Sequence, residues 1–177
     1  MVLLLGLLTA TLWPGAAAAK VFLSTDEALH LAFPNCALER RTVFLTAAQL
    51  RRARELAGVE IKGALVNPYR ATRGGQLVGT AYFDAHVVRT QPETVMVVVD
   101  PQGRVARIEV LSFAEPEDYL PRGPWYAQFV GRGLTADLNL DHAIRGVAGA
   151  SLTARATTSA VRRVLAIHQT LGETPPP

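Results

Sequence analysis

The sequence has little cysteine and little net charge, and each shortage excludes a class of protein. Cys36 is the only cysteine among 177 residues, so the chain can form no internal disulfide and offers no Cys-x-x-Cys-His for haem attachment. The formal net charge is only +3, which is too small to indicate a polyanionic partner. The arginines of residues 39–58 fall at helical spacing, and we interpret them as a solvated helix face rather than a nucleic-acid site.

Several catalytic motifs are also missing. The chain has no Gly-rich Walker or Rossmann fingerprint, no G-x-S-x-G and no Ser-x-x-Lys, which disfavours nucleotide hydrolysis and hydrolase chemistry. Asp84 and His86 stand two residues apart in a predicted strand and therefore on one face. A metal site would need further ligands from His30, His142 or His168. We favour hydrogen-bonded or surface histidines and expect no metal.

The first residues have the pattern of an export signal. The apolar run VLLLGLLTATLW is short for a membrane span, and PGAAAA after it places Ala17 and Ala19 at the small positions of a cleavage site before Lys20. We expect residues 1–19 to be a signal peptide and the mature protein to be periplasmic or on the extracytoplasmic face of the membrane. An uncleaved anchor or a buried helix is the alternative.

The mature part begins with a helical segment. STDEALHLAF has Ser24 three residues before Glu27, and TAAQLRRARELAG has Thr46 three residues before Gln49 and ends at Gly58. Both are capping-box spacings, and a terminal glycine is typical of a helix end. Two helices are therefore predicted within residues 20–58, which we expect to pack on the following domain.

From Val59 onward, β-branched and aromatic residues predict an antiparallel sheet. The all-apolar VMVVV predicts a strand covered on both faces, and DPQG predicts a hairpin turn. A long aromatic loop and a third helix, TARATTSAVRRVLAIHQTLGE, follow. The fold class is α+β, one domain with helices flanking the sheet. Strands are expected at residues 59–71, 76–88, 94–100 and 104–113, with the loop at 114–141, the main domain at 59–172 and a disordered tail at 173–177.

The stretch GVAGASLTARATTSAV, residues 146–161, crowds small residues and hydroxyls before the third helix. Ser151 and Thr153 are both candidate helix caps, and glycines at 146 and 149 permit close backbone approach. An exposed helix start of this kind binds anions, phosphate above all. Ordinary capping without a ligand explains the same residues.

This stretch resembles the flavinylation motif of FMN-binding domain proteins, the family of the periplasmic flavin subunits of the Rnf and Na⁺-pumping quinone reductase complexes. There, Asp, two variable residues, Ser or Thr, and Gly-Ala-Thr/Ser precede a helix, and the last hydroxyl carries FMN through a phosphoester made by an FMN transferase. AGAS matches the end of the motif. The resemblance implies that Ser151 is the acceptor, with flavin contacts from Gly149, Ala150, Leu152 and Thr153.

Two positions depart from the motif, although other segments of the chain are similar to the family. Arg145 stands where the motif has Asp, and Ala148 stands where it has Ser or Thr. Covalent and noncovalent attachment of FMN therefore both remain open, and Arg145 can pair with a phosphate instead. LVGTAYF, VVVDPQGRVARIEVL, EPEDY and WYAQFVG are similar to the family's hairpins and flavin loop. The likeness implies flavin contacts from Glu115, Tyr119 and Trp125.

The resemblance implies an exported FMN-binding electron carrier rather than an enzyme. Its partners would be an FMN transferase and electron donor and acceptor proteins of the membrane or periplasm. Two alternatives stay open: a flavin-free interaction or scaffold module that kept the fold, and a flavin-dependent reductase of small molecules.

Overall fold

The computed structural model describes residues 19–172 and shows a six-stranded antiparallel sheet with helices on both faces. The strand order is β1-β8-β7-β6-β5-β2, and β3 and β4 form a separate ribbon. The predicted α+β class is confirmed. The expected tail and the expected signal, up to residue 18, lie outside the described residues. The elements are β1 (Lys20–Val21), α1 (Thr25–Ala32), β2 (Ala37–Arg40), β3 (Val43–Phe44), α2 (Ala47–Ala57), β4 (Leu65–Val66), β5 (Tyr69–Arg73), β6 (Gln76–Val88), β7 (Gln91–Val99), β8 (Val105–Phe113), α3 (Gly123–Tyr126) and α4 (Ser151–Thr170).

Both N-terminal helices begin as their capping boxes predicted. The Ser24 hydroxyl accepts from the Glu27 amide at the start of α1, and the Thr46 hydroxyl accepts from the Gln49 amide at the start of α2. Gly58 ends α2 in the left-handed conformation, with φ of 63°, which glycine adopts without the steric cost of a Cβ. Local sequence alone is therefore sufficient to place these two helices.

The centre of the sheet is the pair of hairpins β6–β7 and β7–β8. Residues 95–99 of β7 are all buried, which confirms the prediction that both faces of this strand are covered. At the DPQG turn, Asp100 Oδ1 accepts from the amides of Gln102 and Arg104. This turn fixes the register that pairs Val99 with Val105.

The strand predicted over residues 59–71 is wrong in its first half. Residues 58–64 are irregular, and the chain then forms β4 and β5, separated by Asn67 and Pro68. Proline has no N–H to donate to a ladder. Thr42 donates from its hydroxyl to Asn67 Oδ1, 3.0 Å away, and β4 pairs with β3 instead of joining the main sheet.

Helices cover the two faces of the sheet with separate cores. On one face, Leu29 and Phe33 at α1 pack with Met96 and Val98. On the other face, α4 packs over the sheet, together with a cluster that includes the aromatic residues of α3 and the following 3-10 turn, Ala127–Phe129. Helix α2 lies against α4 rather than the sheet, through a small cluster centred on Ala53, Ala57 and Ala166.

A buried arginine ties α4 to its surroundings. Arg162 is 8% exposed, and its guanidinium donates to the backbone oxygens of Ala57, at the end of α2, and of Thr135 and Leu138, in the preceding loop. The carbonyl dipoles therefore stabilise the positive charge. The Ala57 carbonyl, at the end of α2, receives its hydrogen bond from a side chain of α4.

The last predicted elements need small corrections. The loop expected at residues 114–141 contains α3 and two 3-10 turns, Glu117–Tyr119 and Ala127–Phe129. The third predicted helix, α4, begins at Ser151 rather than at Thr153. Among the described helices, none is long and apolar enough to cross a membrane.

Candidate functional site

The first turn of α4 is open to an incoming anion. Ala150 is the N-cap residue and no side chain caps the helix, so the expectation that a hydroxyl of Ser151 or Thr153 caps it is wrong. Gly149 precedes the cap with φ of 82°, where a side chain would be strained. The first amides of a helix have no intrahelical acceptor and carry a partial positive charge.

Ser151 presents its hydroxyl at this helix start. Its side chain is exposed, and Oγ donates to the Val147 carbonyl at 3.3 Å, which is long for an O–H···O bond. The hydroxyl of Thr153, in contrast, is buried and donates to the Tyr119 carbonyl. Ser151 is therefore the hydroxyl of the first turn that a reagent can reach.

A cavity of about 230 Å³ lies at this helix start. It brings together six of the residues that the sequence analysis named, and adds Arg89, which it did not name. The lining residues are Gly149, Ala150, Ser151, Leu152, Thr153, Tyr119 and Arg89.

Arg89 is the cation of this cavity. It sits in the turn between β6 and β7 with φ of 53°, and its guanidinium carbon lies 4.5 Å from the centroid of the Tyr119 ring, within the range of a cation–π contact. No spacing in the sequence pointed to Arg89, because the turn reaches α4 only through the tertiary fold.

Glu115 lies behind this turn rather than among the lining residues. Its Oε1 accepts from the Thr90 amide at 2.8 Å, from the Thr90 hydroxyl at 3.0 Å and from the Gln91 amide at 3.0 Å. The Thr90 amide bond, with help from the others and from Arg89, lowers the pKa of Glu115. Glu115 therefore stays ionised and fixes the turn that carries Arg89.

Trp125 and Arg145 also lie outside the cavity lining. Trp125 is 7% exposed and packs in the core beside Phe129. Its Nε1 donates to the Arg145 carbonyl at 2.7 Å, and the Arg145 amide donates to Gln128 Oε1 at 2.9 Å. The two contacts fix the backbone that leads to α4, while the Arg145 side chain is exposed. A flavin contact from either residue stays a prediction.

A cluster of charged side chains lies further along α4. Arg163 donates to both carboxylate oxygens of Asp84, at 2.9 and 2.7 Å. His86 lies with Nδ1 2.9 Å from Asp84 and Nε2 2.8 Å from the fully buried Glu93. The prediction that Asp84 and His86 share a face is confirmed by their contact. Within residues 19–172, no group of three or more His, Cys, Asp or Glu side chains is arranged to hold a metal ion.

The partners of this group determine its protonation. Burial alone would raise the pKa of Asp84, but the hydrogen bonds from Arg163 and His86 outweigh it and bring the pKa to about 2. Burial alone would lower the pKa of His86, but its bonds with Asp84 and Glu93 outweigh burial and raise it. Asp84 is therefore ionised and His86 tends to hold its proton.

The cavity at Ser151 fits the phosphate end of a flavin nucleotide. It offers the cation Arg89, an uncapped helix start, and Gly149, where no side chain blocks the approach to the backbone. These features bind phosphate in proteins. Its volume is below the range for whole drug-sized ligands, so it suits part of the cofactor. Exposed Leu152, at 53%, adds apolar surface next to it.

A comparison with protein families agrees with this geometry. The model of the FMN-binding domain matches residues 90–166, which run from the β6–β7 turn to the middle of α4 and include Ser151. No curated protein matches the chain. Residues 90–166 are therefore an FMN-binding domain, and FMN is the cofactor of this domain.

Proposed function

We propose that this protein is an exported electron carrier whose FMN is joined to Ser151 Oγ through a phosphoester. One observation carries the proposal. Within the FMN-binding domain, the exposed hydroxyl of Ser151 stands at an uncapped helix start, in a cavity that Arg89 also lines. This is the place where a phosphate is best stabilised and a hydroxyl is free to react.

The bond requires a separate FMN transferase. Ser151 Oγ forms the new bond to the FMN phosphorus of a donor in which that phosphate is part of a phosphoanhydride. The anhydride P–O bond breaks, the departing phosphate group takes the electron pair, and the hydroxyl proton is released. The product differs from the unmodified chain by one FMN less one water. Arg89 and the first amides of α4 would hold the phosphate of the product.

The lining of the cavity favours a carrier over an enzyme. FMN supplies the redox chemistry when bound. The lining residues Arg89 and the first turn of α4 suit a phosphate, and binding the cofactor is the task that a carrier requires. Tyr119 is a lining residue whose hydroxyl could donate a proton to a substrate, so the turnover measurement below decides between carrier and reductase.

Covalent attachment also suits export. A cofactor held only by a cavity of about 230 Å³ could be lost by dilution outside the cell, whereas a phosphoester would retain it. The FMN-binding domain match disfavours a flavin-free scaffold. Kinship with the Rnf and Na⁺-pumping complexes stays a prediction.

The intact mass of the denatured protein tests the attachment. We would express the chain with its export signal beside an FMN transferase and compare it with Ser151→Ala and with Ser159→Ala, which removes a hydroxyl further along the same helix. We expect wild type and Ser159→Ala to gain one FMN less one water, and Ser151→Ala to gain nothing. An adduct on Ser151→Ala, or none on wild type, would contradict the proposal.

The two arginines near the site provide a matched pair of variants. Arg89 lines the cavity, whereas Arg145 is exposed and outside the lining. If Arg89 orients the phosphate, Arg89→Ala should lower the initial rate of flavinylation by about tenfold, the value of one charge-assisted hydrogen bond. Arg145→Ala should leave the rate nearly unchanged. The reverse order would assign the phosphate to Arg145.

Carrier and reductase differ in turnover. A carrier bleaches once with a chemical reductant and regains its colour with an acceptor, in proportion to its flavin content. A steady-state turnover of a soluble small molecule that exceeds this stoichiometry would favour the reductase.

A further inference from the structure

A second, larger cavity lies along the C-terminal half of α4. Its volume is about 890 Å³, and it is bordered by residues 82–87 of β6, by Arg163 and Ile167 of α4 and by the ribbon residues Leu65 and Val66. Arg163 is about three turns of helix, roughly 18 Å, from Ser151. This cleft is therefore separate from the cavity of the proposed FMN attachment.

The cleft contains a sheet edge that is paired on one side only. Strand β6 pairs with β5 no further than Ala81, opposite Tyr69, but it pairs with β7 as far as Val88. Residues 83–87 consequently have a strand neighbour on the β7 side alone among the described residues. In an antiparallel ladder every second residue of such an edge directs its N–H and C=O away from the partner strand.

The edge is open because the chain leaves the sheet at Pro68. Just before β5, Asn67 is held by Thr42 and β4 is held by β3, so the residues that would continue β5 form the opposite wall of the cleft. Residues 83–87 contain no lysine, proline or bulge, and the inward-pointing charge of Asp84 is compensated by Arg163. No register shift interrupts the pairing of β6 with β7.

The two sides of the edge differ in chemistry, because side chains alternate along a strand. Asp84 and His86 point toward α4, where Arg163 lies. Phe83 points to the other side and packs edge-on against Tyr69. Val87, 62% exposed, and Leu65, 52% exposed, add apolar surface at the rim.

The charges of the cleft favour an acidic occupant. Asp84 is already bound by Arg163 and His86. The remaining charged lining residues are Arg40, Lys62 and Glu60, which leaves one uncompensated positive charge. A segment that carries a carboxylate where it passes Arg40 or Lys62 would complement this charge.

We propose that residues 83–87 of β6 bind an extended, mainly apolar segment of a partner protein as an added strand, and that this segment carries at least one carboxylate. Main-chain hydrogen bonds to the edge would hold the segment, and the polar and apolar sides of the cleft would select its side chains. A compact small molecule could fill the cleft, but it would not pair with the row of backbone N–H and C=O groups along residues 83–87. The proposal does not depend on attachment of FMN at Ser151.

A displayed library of random ten-residue peptides, selected against the mature, FMN-loaded protein, tests this docking site. We expect enrichment of mainly apolar sequences that carry at least one Asp or Glu. In complex with one enriched peptide, alternate amides within residues 83–87 should exchange with deuterium about tenfold more slowly. Replacing alternate peptide residues with proline, which removes N–H donors, should abolish binding.

Two lysine variants provide a matched comparison. Val87→Lys places a charge on the open edge, whereas Val21→Lys places one on β1, at the outer edge of the sheet, where Val21 is 68% exposed. We expect Val87→Lys to weaken the peptide by at least about tenfold and Val21→Lys to bind it as wild type does. Ser151→Ala should also bind normally, which separates this site from the proposed function.

Three results would overturn the proposal. The first is a library without enrichment, and the second is equal binding of the enriched peptides to Val87→Lys and wild type. The third is a dimer in solution that Val87→Lys dissociates, which would place a second copy of the chain at the edge.

Discussion

The ion pair between Asp84 and Arg163 makes a quantitative prediction about acid stability. Both oxygens of Asp84 accept from Arg163, and Nδ1 of His86 faces the same carboxylate. The carboxylate has a pKa near 2 in the folded protein and about 3.9 in an unfolded chain. Because the pKa of Asp84 is lower in the folded protein, the ionised carboxylate stabilises the fold at any pH above its pKa in the unfolded chain. This stabilisation is lost as the pH falls through the pKa in the folded protein.

The size of the effect follows from the shift. A change of nearly two pKa units corresponds to about 2.5 kcal/mol of folding free energy at neutral pH. By linkage, about 1 kcal/mol of it is lost by pH 3 and about 2 kcal/mol by pH 2. The side chain of Asp84 is only 15% exposed, so solvent screens this contribution weakly.

Urea denaturation of wild type and Asp84→Asn at pH 7, 5 and 3 measures the effect. At pH 7 the variant should lose about 3 kcal/mol, because Arg163 is left without its carboxylate. The difference between the two proteins should shrink by about 1 kcal/mol from pH 5 to pH 3. Asp118→Asn, which removes an exposed carboxylate, should show neither effect. A difference that stays constant from pH 5 to pH 3 would refute the reasoning.

His86 makes the folding free energy depend on pH in the opposite direction. Its folded-state pKa is raised, so its contribution is fully present below about pH 6.5 and is lost as pH rises through the folded-state pKa. The stability of wild type should therefore decline on the alkaline side as well. Asp84→Asn removes one of the two carboxylates that raise the pKa of His86 and should weaken this decline.

Two further predictions concern packing. Arg162→Met leaves the backbone oxygens of Ala57 and Leu138, in buried hydrogen bonds, and of Thr135, in a part-buried one, without their donor. It should cost about 3–5 kcal/mol in urea denaturation at pH 7; a loss below about 1 kcal/mol would show that water replaces the guanidinium. In Gly79→Ala the new Cβ would lie 2.9 Å from the Val99 oxygen, so the melting temperature should fall by an amount equivalent to about 1–3 kcal/mol. Gly63→Ala, whose Cβ would meet nothing within 4 Å, is its control and should change the melting temperature little.

The helix starts and the buried strand were predicted well because each depends on residues that are close together in the sequence. The capping boxes of α1 and α2 involve residues three apart, and the buried run in β7 shows its hydrophobicity directly. The split at Pro68 was missed because the β-branched residues before it and Tyr69 after it gave one continuous pattern. A proline within such a run is the signal that argued for two strands.

Apart from Tyr119, which the family resemblance supplied, the residues of the candidate site were predicted only where they are contiguous. Residues 149–153 lie together because they form one helix start, and Tyr119 joins them through Thr153. The helix start itself was placed too late, because Thr153 gives its hydroxyl to a carbonyl distant in sequence instead of capping. Arg89 reaches the site through a hairpin turn that Glu115 fixes, and no local pattern encodes that approach.

The missing cap of α4 has a consequence for how the protein is maintained. An alanine at an N-cap gives up about 1 kcal/mol relative to a serine or aspartate, and an anion at the same amides would restore it. If FMN is joined to Ser151 as proposed, its phosphate would meet these amides in the folded chain alone and would stabilise that state. Folding and cofactor supply would then be coupled, so that chains without FMN would unfold more often and would be degraded first.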